Sequence, residues 1–251
     1  MLRLKRLAVL ILVAFFVITG LTFWALRVSG AETIGVNPPP PRSEAKLEVL
    51  STNSDPAVNI TPGSFDAKWL ARTAARTDIP VRALRAYAAA AGLANAASPT
   101  CGIGWNTVAA IGFVESAHGT YGGGSLTPAG QASRPIVGPS LNGEGFAAIP
   151  DTDDGVLDGD AIWDHAVGPM QFIPTTWQMA GRDGNGDGES DPLNIDDAAL
   201  SAASYLCVGG RDLTTARGWT DAVYSYNQSD SYVDHVREQA TAYAAQAGSS
   251  R

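Results

Sequence analysis

At 251 residues the chain is long enough for one domain, or at most two small ones, and 45% hydrophobic residues exclude disorder throughout. Its 17 Lys and Arg against 25 Asp and Glu give a net charge of -8; setting Arg3, Lys5, Arg6 and Arg27 apart at the amino end leaves 13 against 25, or -12. No basic patch remains for neutralising phosphates, which excludes nucleic acid as a partner.

Leu7 to Leu26 is twenty residues without a charge. As a helix it would span about 30 Å, the thickness of a bilayer core. Arg3, Lys5 and Arg6 precede it, so the positive-inside rule puts the amino end in the cytoplasm and the rest outside, in the cell envelope. Its length favours an uncleaved membrane anchor over a signal peptide, while the small residues Val28, Ser29 and Gly30 leave cleavage and secretion open. With no Cys near this segment, a lipid-anchored form is excluded.

Residues 31–63 contain Pro38 to Pro41 and no sustained apolar period, so they read as a semi-extended linker. Residues 64–251 then form the globular domain. Ser64 is placed to cap a helix running through Trp69 and Leu70 to about Arg76. Pro80 suits the first turn of a second, with Leu84, Tyr87, Ala88 and Ala91 on one face. A third runs from near Asn106 to Gly119. The stretch from Tyr121 to Gly168 is rich in Gly, Pro and Asp and shows no helical period; its length marks it as functional. Short helices follow around 175–179, 197–207, 221–226 and 232–245, and no segment alternates convincingly as a strand. The expected fold is mainly α.

Cys101 and Cys207 both fall in the exported part. Without a CxxC, and with only His118, His165 and His235 as further soft ligands, a disulfide is the better reading than a metal site. Closing a loop of about 100 residues contributes up to about 4.7 kcal/mol in the chain-entropy account.

In the third helix, Val108, Ile111 and Glu115 stand at i, i+3 and i+7, so a carboxylate shares a stripe with apolar residues. Desolvation there raises its pKa and keeps it protonated near neutrality, the state a general acid needs. An ordinary buried glutamate paired with an Arg would show the same spacing.

Between Asp151 and Asp197 stand twelve acidic residues and one Arg, Arg182. Such crowding repels itself unless a cation or a solvated loop absorbs it. Asp183, Asn185 and Asp187 offer oxygens at positions 1, 3 and 5 of a calcium loop, with Gly188 at the turn and the Glu189 carbonyl at position 7. Position 12 is Asn194 rather than Glu, so the loop is not a standard EF-hand. The Asp151–Asp160 stretch fits no ligand template; lining a cleft, holding a second cation, or supplying a helper carboxylate such as Asp158 or Asp164 all remain open.

Three strings in order, Phe113-Val114-Glu115-Ser116, Gly168-Pro169-Met170-Gln171-Phe172 and Tyr226-Asn227, resemble the signatures of lytic murein transglycosylases. The chain is most similar to the actinobacterial form of the membrane-bound transglycosylase B branch, chiefly through residues 168–177, although relatives commonly carry Leu where this chain has Pro169. The resemblance implies a lysozyme-like fold and cleavage of the glycan strands of peptidoglycan. It implies that Glu115 acts first as acid and then as base, closing a 1,6-anhydro ring on N-acetylmuramic acid without water. It further implies Gln171 and Asn227 as sugar-binding amides, Ser116 and Met170 as parts of the substrate site, and Tyr205, Tyr226 and Tyr232 as cleft aromatics. Asp197, at position 15, is where relatives close a variant calcium loop. A hydrolytic muramidase and a non-catalytic wall-binding module are the competing readings.

Overall fold

Asp66 opens the first helix of the described residues, α1 (Ala67–Thr77), its side chain accepting hydrogen bonds from the Lys68 and Trp69 amides at 2.8 and 3.3 Å. The cap is thus Asp66 and not the expected Ser64: both are capping residues, but the carboxylate of Asp66 reaches the free amides of the first turn. In the computed structural model, residues 65–144 and 147–248 are described, and they fall within one compact unit. The expected membrane segment and linker lie outside them. No helix among the described residues is long and apolar enough to cross a membrane.

Pro80 caps α2 (Val81–Ala97), and the expected face of Leu84, Tyr87, Ala88 and Ala91 is buried. This alanine-rich helix lies along α5 (Ile195–Leu206), whose Ala198, Ala199, Ala202 and Ala203 are also buried. Small side chains on both faces let the two backbones approach closely. Between them and the last helix runs α3 (Trp105–Ser116), whose residues 105 to 112 are all buried. A β-carbon on Gly112 would stand 2.1 Å from the Tyr87 hydroxyl, so only glycine allows α3 to lie this near α2. Cys101, just before α3, and Cys207, which caps α5, form the expected disulfide with a Cα–Cα separation of 5.4 Å.

The domain is mostly helical, as its sequence leads one to expect. The remaining helices are α4 (Pro174–Ala180), with Pro at its first turn, α6 (Ala216–Tyr226), capped by Thr215, and α7 (Asp230–Gly248). Val233, Val236, Ala240 and Tyr243 form the buried stripe by which α7 packs on α3. The irregular stretch does hold two short strands, β1 (Val137–Ser140) and β2 (His165–Val167), paired antiparallel with a bulge. Sequence alternation missed them because Gly138 and Pro139 interrupt β1.

Helix α3 ends in two successive left-handed residues, Ala117 at φ 50° and His118 at φ 64°. That conformation is unfavourable for residues with a β-carbon, and buried hydrogen bonds hold it. His118 bridges the Tyr87 hydroxyl (Nδ1, 3.1 Å) and the Tyr243 hydroxyl (Nε2, 2.9 Å). Burial pushes its pKa down to about 4. Because the folded ring resists a proton that the unfolded ring accepts near pH 6.5, the stability it confers is full above about 6.5 and drains away as pH falls toward 4. His118→Gln, which cannot take up that proton, should therefore lie furthest below wild type at pH 8. The gap should close by about 3 kcal/mol at pH 4, since each pKa unit is worth about 1.4 kcal/mol. Denaturant melts of both proteins across this range check it; a constant gap would remove His118 as the titrating group.

Candidate active-site cleft

The last turn of α3 emerges from the core into a cleft of about 940 Å³. Glu115 lines one side, with Tyr205 from α5 and Ser225, Tyr226, Asn227 and Gln228 from the end of α6. The rest of the lining is largely apolar, with Pro139 and Leu141 at β1, Ala147 and Ile149 beyond it, and Ala166 on β2. Gln171, Phe172 and Ile173 complete it from the turn after β2. Among the described residues lining the cleft, Glu115 is the sole carboxylate, and no Lys, Arg, His or Asp joins it.

Glu115 Oε1 accepts a hydrogen bond from the Tyr232 hydroxyl at 2.5 Å. Desolvation raises the carboxyl to about 7, and the Tyr232 bond lowers it only in part. Tyr232 is itself held far above the usual phenol range by burial and then by the Glu115 charge, so it stays a donor. Tyr232 is buried and does not line the cleft; what it does is hold Glu115 from behind.

Ser116 and Met170 do not line the cleft either. Ser116 is buried, its Oγ donating to the Pro169 carbonyl at 2.6 Å and accepting from the Gly119 amide at 2.8 Å, so it ties the end of α3 to the turn after β2. Met170 is fully buried, and its carbonyl accepts from the Tyr226 hydroxyl at 2.8 Å. The side chains face inward because this turn is pinned from below. A β-carbon on Gly168 would come within 1.9 Å of the Pro192 carbonyl oxygen, at φ 77°, which glycine alone tolerates without strain. Gln171, at φ 50°, donates its amide to the Gly168 carbonyl at 3.0 Å and the Ala166 carbonyl at 3.3 Å while lining the cleft. Tyr205 donates to the Ser225 carbonyl at 3.1 Å, and its ring meets Tyr226 edge-on with centroids 5.9 Å apart.

Neither acidic stretch reaches the cleft. Asp158 accepts from the Asp160 and His165 amides, and buried Asp164 accepts from the Thr152 amide and hydroxyl, so neither serves as a helper carboxylate there. Asp151, Asp153 and Asp164 bring one carboxylate oxygen each within 4.8 Å of one another. The loop's own donors take up most of these oxygens: Asp151 caps the amides of Asp153, Asp154 and Gly155, and Asp153 that of Leu157. Desolvation, then the charges of Asp158, Asp151 and Asp164, raise the pKa of Asp153.

In the second loop Asp183 accepts from the Gly186 and Gly188 amides at 2.6 and 2.8 Å. Asn185 and Asp187 hydrogen-bond to each other, and the Glu189 amide donates to Asp187. Asp197 is fully buried at the start of α5 and accepts from the amides of Gly184, Asn185 and Asp191. The set is all oxygen, which suits a hard cation, with Asp197 anchoring it to the core.

The apolar wall escaped the sequence reading; the alternate spacing of Val137, Pro139 and Leu141 is the faint signal of it. The pairing of Tyr232 with Glu115, 117 residues apart, left none.

Residues 155–220 match the family described as the Transglycosylase SLT domain, the segment that holds the second motif, the Asp183–Asp197 loop and α5. No curated protein matches the chain. Among solved structures it is similar to the Escherichia coli lytic transglycosylase Slt35 in complex with bulgecin A, at 13% identity and a TM-score of 0.41, covering 72% of this chain and 75% of that one.

Glu115 also makes a prediction about stability. Its folded pKa of about 7 exceeds the ordinary value of 4.5, so the folded state holds this proton more tightly and loses that advantage as pH rises through 7. Glu115→Gln keeps the shape without the buried charge. It should match wild type near pH 4.5 and exceed it above pH 8, by up to about 3 kcal/mol before the water in the cleft is allowed for. Melting curves at both pH values check this; equal stability at pH 8 would mean the carboxylate is well solvated.

Proposed function

We propose that this transglycosylase SLT domain cleaves the β-1,4 bond between N-acetylmuramic acid and N-acetylglucosamine in peptidoglycan, leaving 1,6-anhydro ends. The observation that carries this is Glu115, the sole carboxylate among the described residues that line the cleft, poised near neutrality by desolvation. Hydrolytic glycosidases usually place two carboxyl groups about 5 to 9.5 Å apart, the second to attack the sugar or to activate water. With one, the economical course is for Glu115 to protonate the leaving oxygen and then accept the proton of the same sugar's C6 hydroxyl. The hydroxyl oxygen bonds to C1 as the glycosidic bond breaks, so no water is consumed. The substrate's own N-acetyl group steadies the positive charge developing at C1. Tyr232 holds the carboxyl in place throughout, donating to it in either protonation state. Gln171 and Asn227 supply amides to the sugar hydroxyl and acetamido groups, and Tyr205 and Tyr226 offer ring faces and edges to its apolar side.

The domain works outside the cytoplasmic membrane on glycan strands, with residues 7–26 as its anchor or its export signal. The disulfide suits that compartment. Calcium is the proposed structural ion of the Asp183–Asp197 loop, where it would be held by the carboxylates of Asp183, Asp187 and Asp197, the Asn185 side-chain carbonyl and the Glu189 backbone carbonyl. It takes no part in the chemistry.

Digestion of purified murein sacculi should release anhydro-ended muropeptides, and Glu115→Gln should lower the rate by about 10²–10⁴-fold, the usual worth of a placed general acid. Reducing ends would point instead to hydrolysis, and no release by the folded protein to a binding module. Calcium should raise the melting temperature, and Asp187→Ala should lose most of that response while retaining most activity. A ligand at a hundredfold excess over its Kd stabilises by about 2.7 kcal/mol. Identical calcium shifts in the two proteins would put the ion elsewhere.

A further inference from the structure

His165 sits on β2 with both ring nitrogens facing oxygen acceptors. Nδ1 lies 2.8 Å from the Gly138 carbonyl of β1, and Nε2 lies 3.1 Å from the Asp160 carboxylate of the acidic loop. A neutral imidazole has one donor and one lone pair, so it can satisfy only one of the two; the imidazolium satisfies both. The backbone agrees with this role, since the His165 amide donates to Asp158 at 2.7 Å. Its neighbours are the cleft itself. Ala166 lines it and accepts from Gln171, Pro139 beside Gly138 lines it, and Gly138 packs against the Gln171 carboxamide oxygen.

We propose that His165, as the imidazolium, is a positioning residue that clamps the acidic loop and β1 together and thereby sets the apolar lining of the glycan cleft relative to Glu115. The two strands pair across only a few residues and with a bulge, so backbone bonds alone register this lining weakly. The charged groups acting on the ring are Asp160 and Asp158, both on the loop; β1 presents a carbonyl and no titratable side chain, and the turn presents neutral Gln171. The Gly138 bond first, then the Asp160 bond and the two carboxylate charges, outweigh desolvation and raise the His165 pKa above its ordinary 6.5. The clamp is complete below pH 6.5 and is lost as pH rises through that raised value, when one nitrogen turns a lone pair toward an oxygen. Gln171 and Pro139 then lose their fixed distance from Glu115, and glycan affinity falls independently of the titration of Glu115 itself.

The inference rests on the proposed glycan substrate only for the choice of ligand, and its test separates the two. In Glu115→Gln protein, which removes the titration of the acid, the ring nitrogen shifts of His165 are followed by NMR from pH 5 to 9, together with the amides of Gly138, Ala166 and Gln171. His165 should titrate above 6.5 and the three amides should move with it. Titration at or below 6.5, or amides indifferent to it, overturns the proposal whether or not any glycan binds. Binding of N-acetylglucosamine hexamer to the same protein should weaken about threefold or more between pH 6 and 9. The further change His165→Gln should make that affinity weak and independent of pH, and His165→Arg, a permanent cation with several donors, should hold it at the higher level at pH 9. Equal pH dependence with and without His165 is the opposite result. If the hexamer, which lacks N-acetylmuramic acid, does not bind at all, the amide titration still decides the clamp, and digestion of murein sacculi decides the substrate reading.

Discussion

Withdrawing one carboxyl from water is the constraint on which the rest of the architecture turns. Glu115 has a raised pKa because α3 is buried from Trp105 to Gly112 and only its final turn meets solvent. Burying a helix on all sides requires neighbours with little bulk, which is what the alanines of α2 and α5 and the bare Gly112 provide. The helix also stops abruptly after Ser116, one residue beyond Glu115. Ala117 and His118 supply that stop in a strained conformation, secured by the two tyrosines that grip the imidazole. The stop, the grip and the acid are thus parts of one local arrangement.

Two protonation states then frame the pH range in which that arrangement works. His118 must remain neutral, which burial secures down to about pH 4. Glu115 holds its proton up to about pH 7 because of desolvation. Their stability contributions slope in opposite directions between about 4.5 and 6.5. Acid weakens the fold through His118, while neutral and alkaline conditions cost it through the charge on Glu115. Mildly acidic to neutral pH is where neutral His118 and protonated Glu115 coexist.

Much of this was legible in the sequence where the signal is local. A helix repeats every 3.6 residues, so the buried face of α2 and the position of Glu115 beside Val108 and Ile111 could be read directly. The order of the three motifs pointed to Gln171, Tyr226 and Asn227, all of which line the cleft. What failed to show depends on approach between distant segments or on which way a side chain faces. β1 and β2 pair across an acidic loop, and Gly138 with Pro139 erases the alternation that marks a strand. Ser116 and Met170 belong to the motifs yet point inward, because motif membership says that a residue is needed and not which side of the turn it supports. Residues beyond those described, including the apolar Leu7 to Leu26, are legible only as sequence.

The density of acid between Asp151 and Asp197 looks from composition like a repelling surface in need of a cation. Its physical solution is largely internal. Asp151, Asp153, Asp158, Asp160 and Asp164 each accept backbone amides from their own loop, so the carboxylates take the place of a regular ladder in a segment too rich in Gly and Asp to form one. Hydrogen bonds to charged acceptors are worth roughly twice neutral ones, which lets a loop without much apolar content hold a fixed shape. Because the acids turn their oxygens into the loop, none is presented to the cleft, whose wall is left to Pro139, Leu141 and Ile149. That separation matters for the chemistry. A second carboxylate beside Glu115 would raise its pKa further by repulsion and would offer water a base. Twelve acidic residues stand within 47 positions and yet none of them lines the cleft, which leaves the Glu115 carboxyl with desolvation and not like-charge repulsion as the cause of its raised pKa.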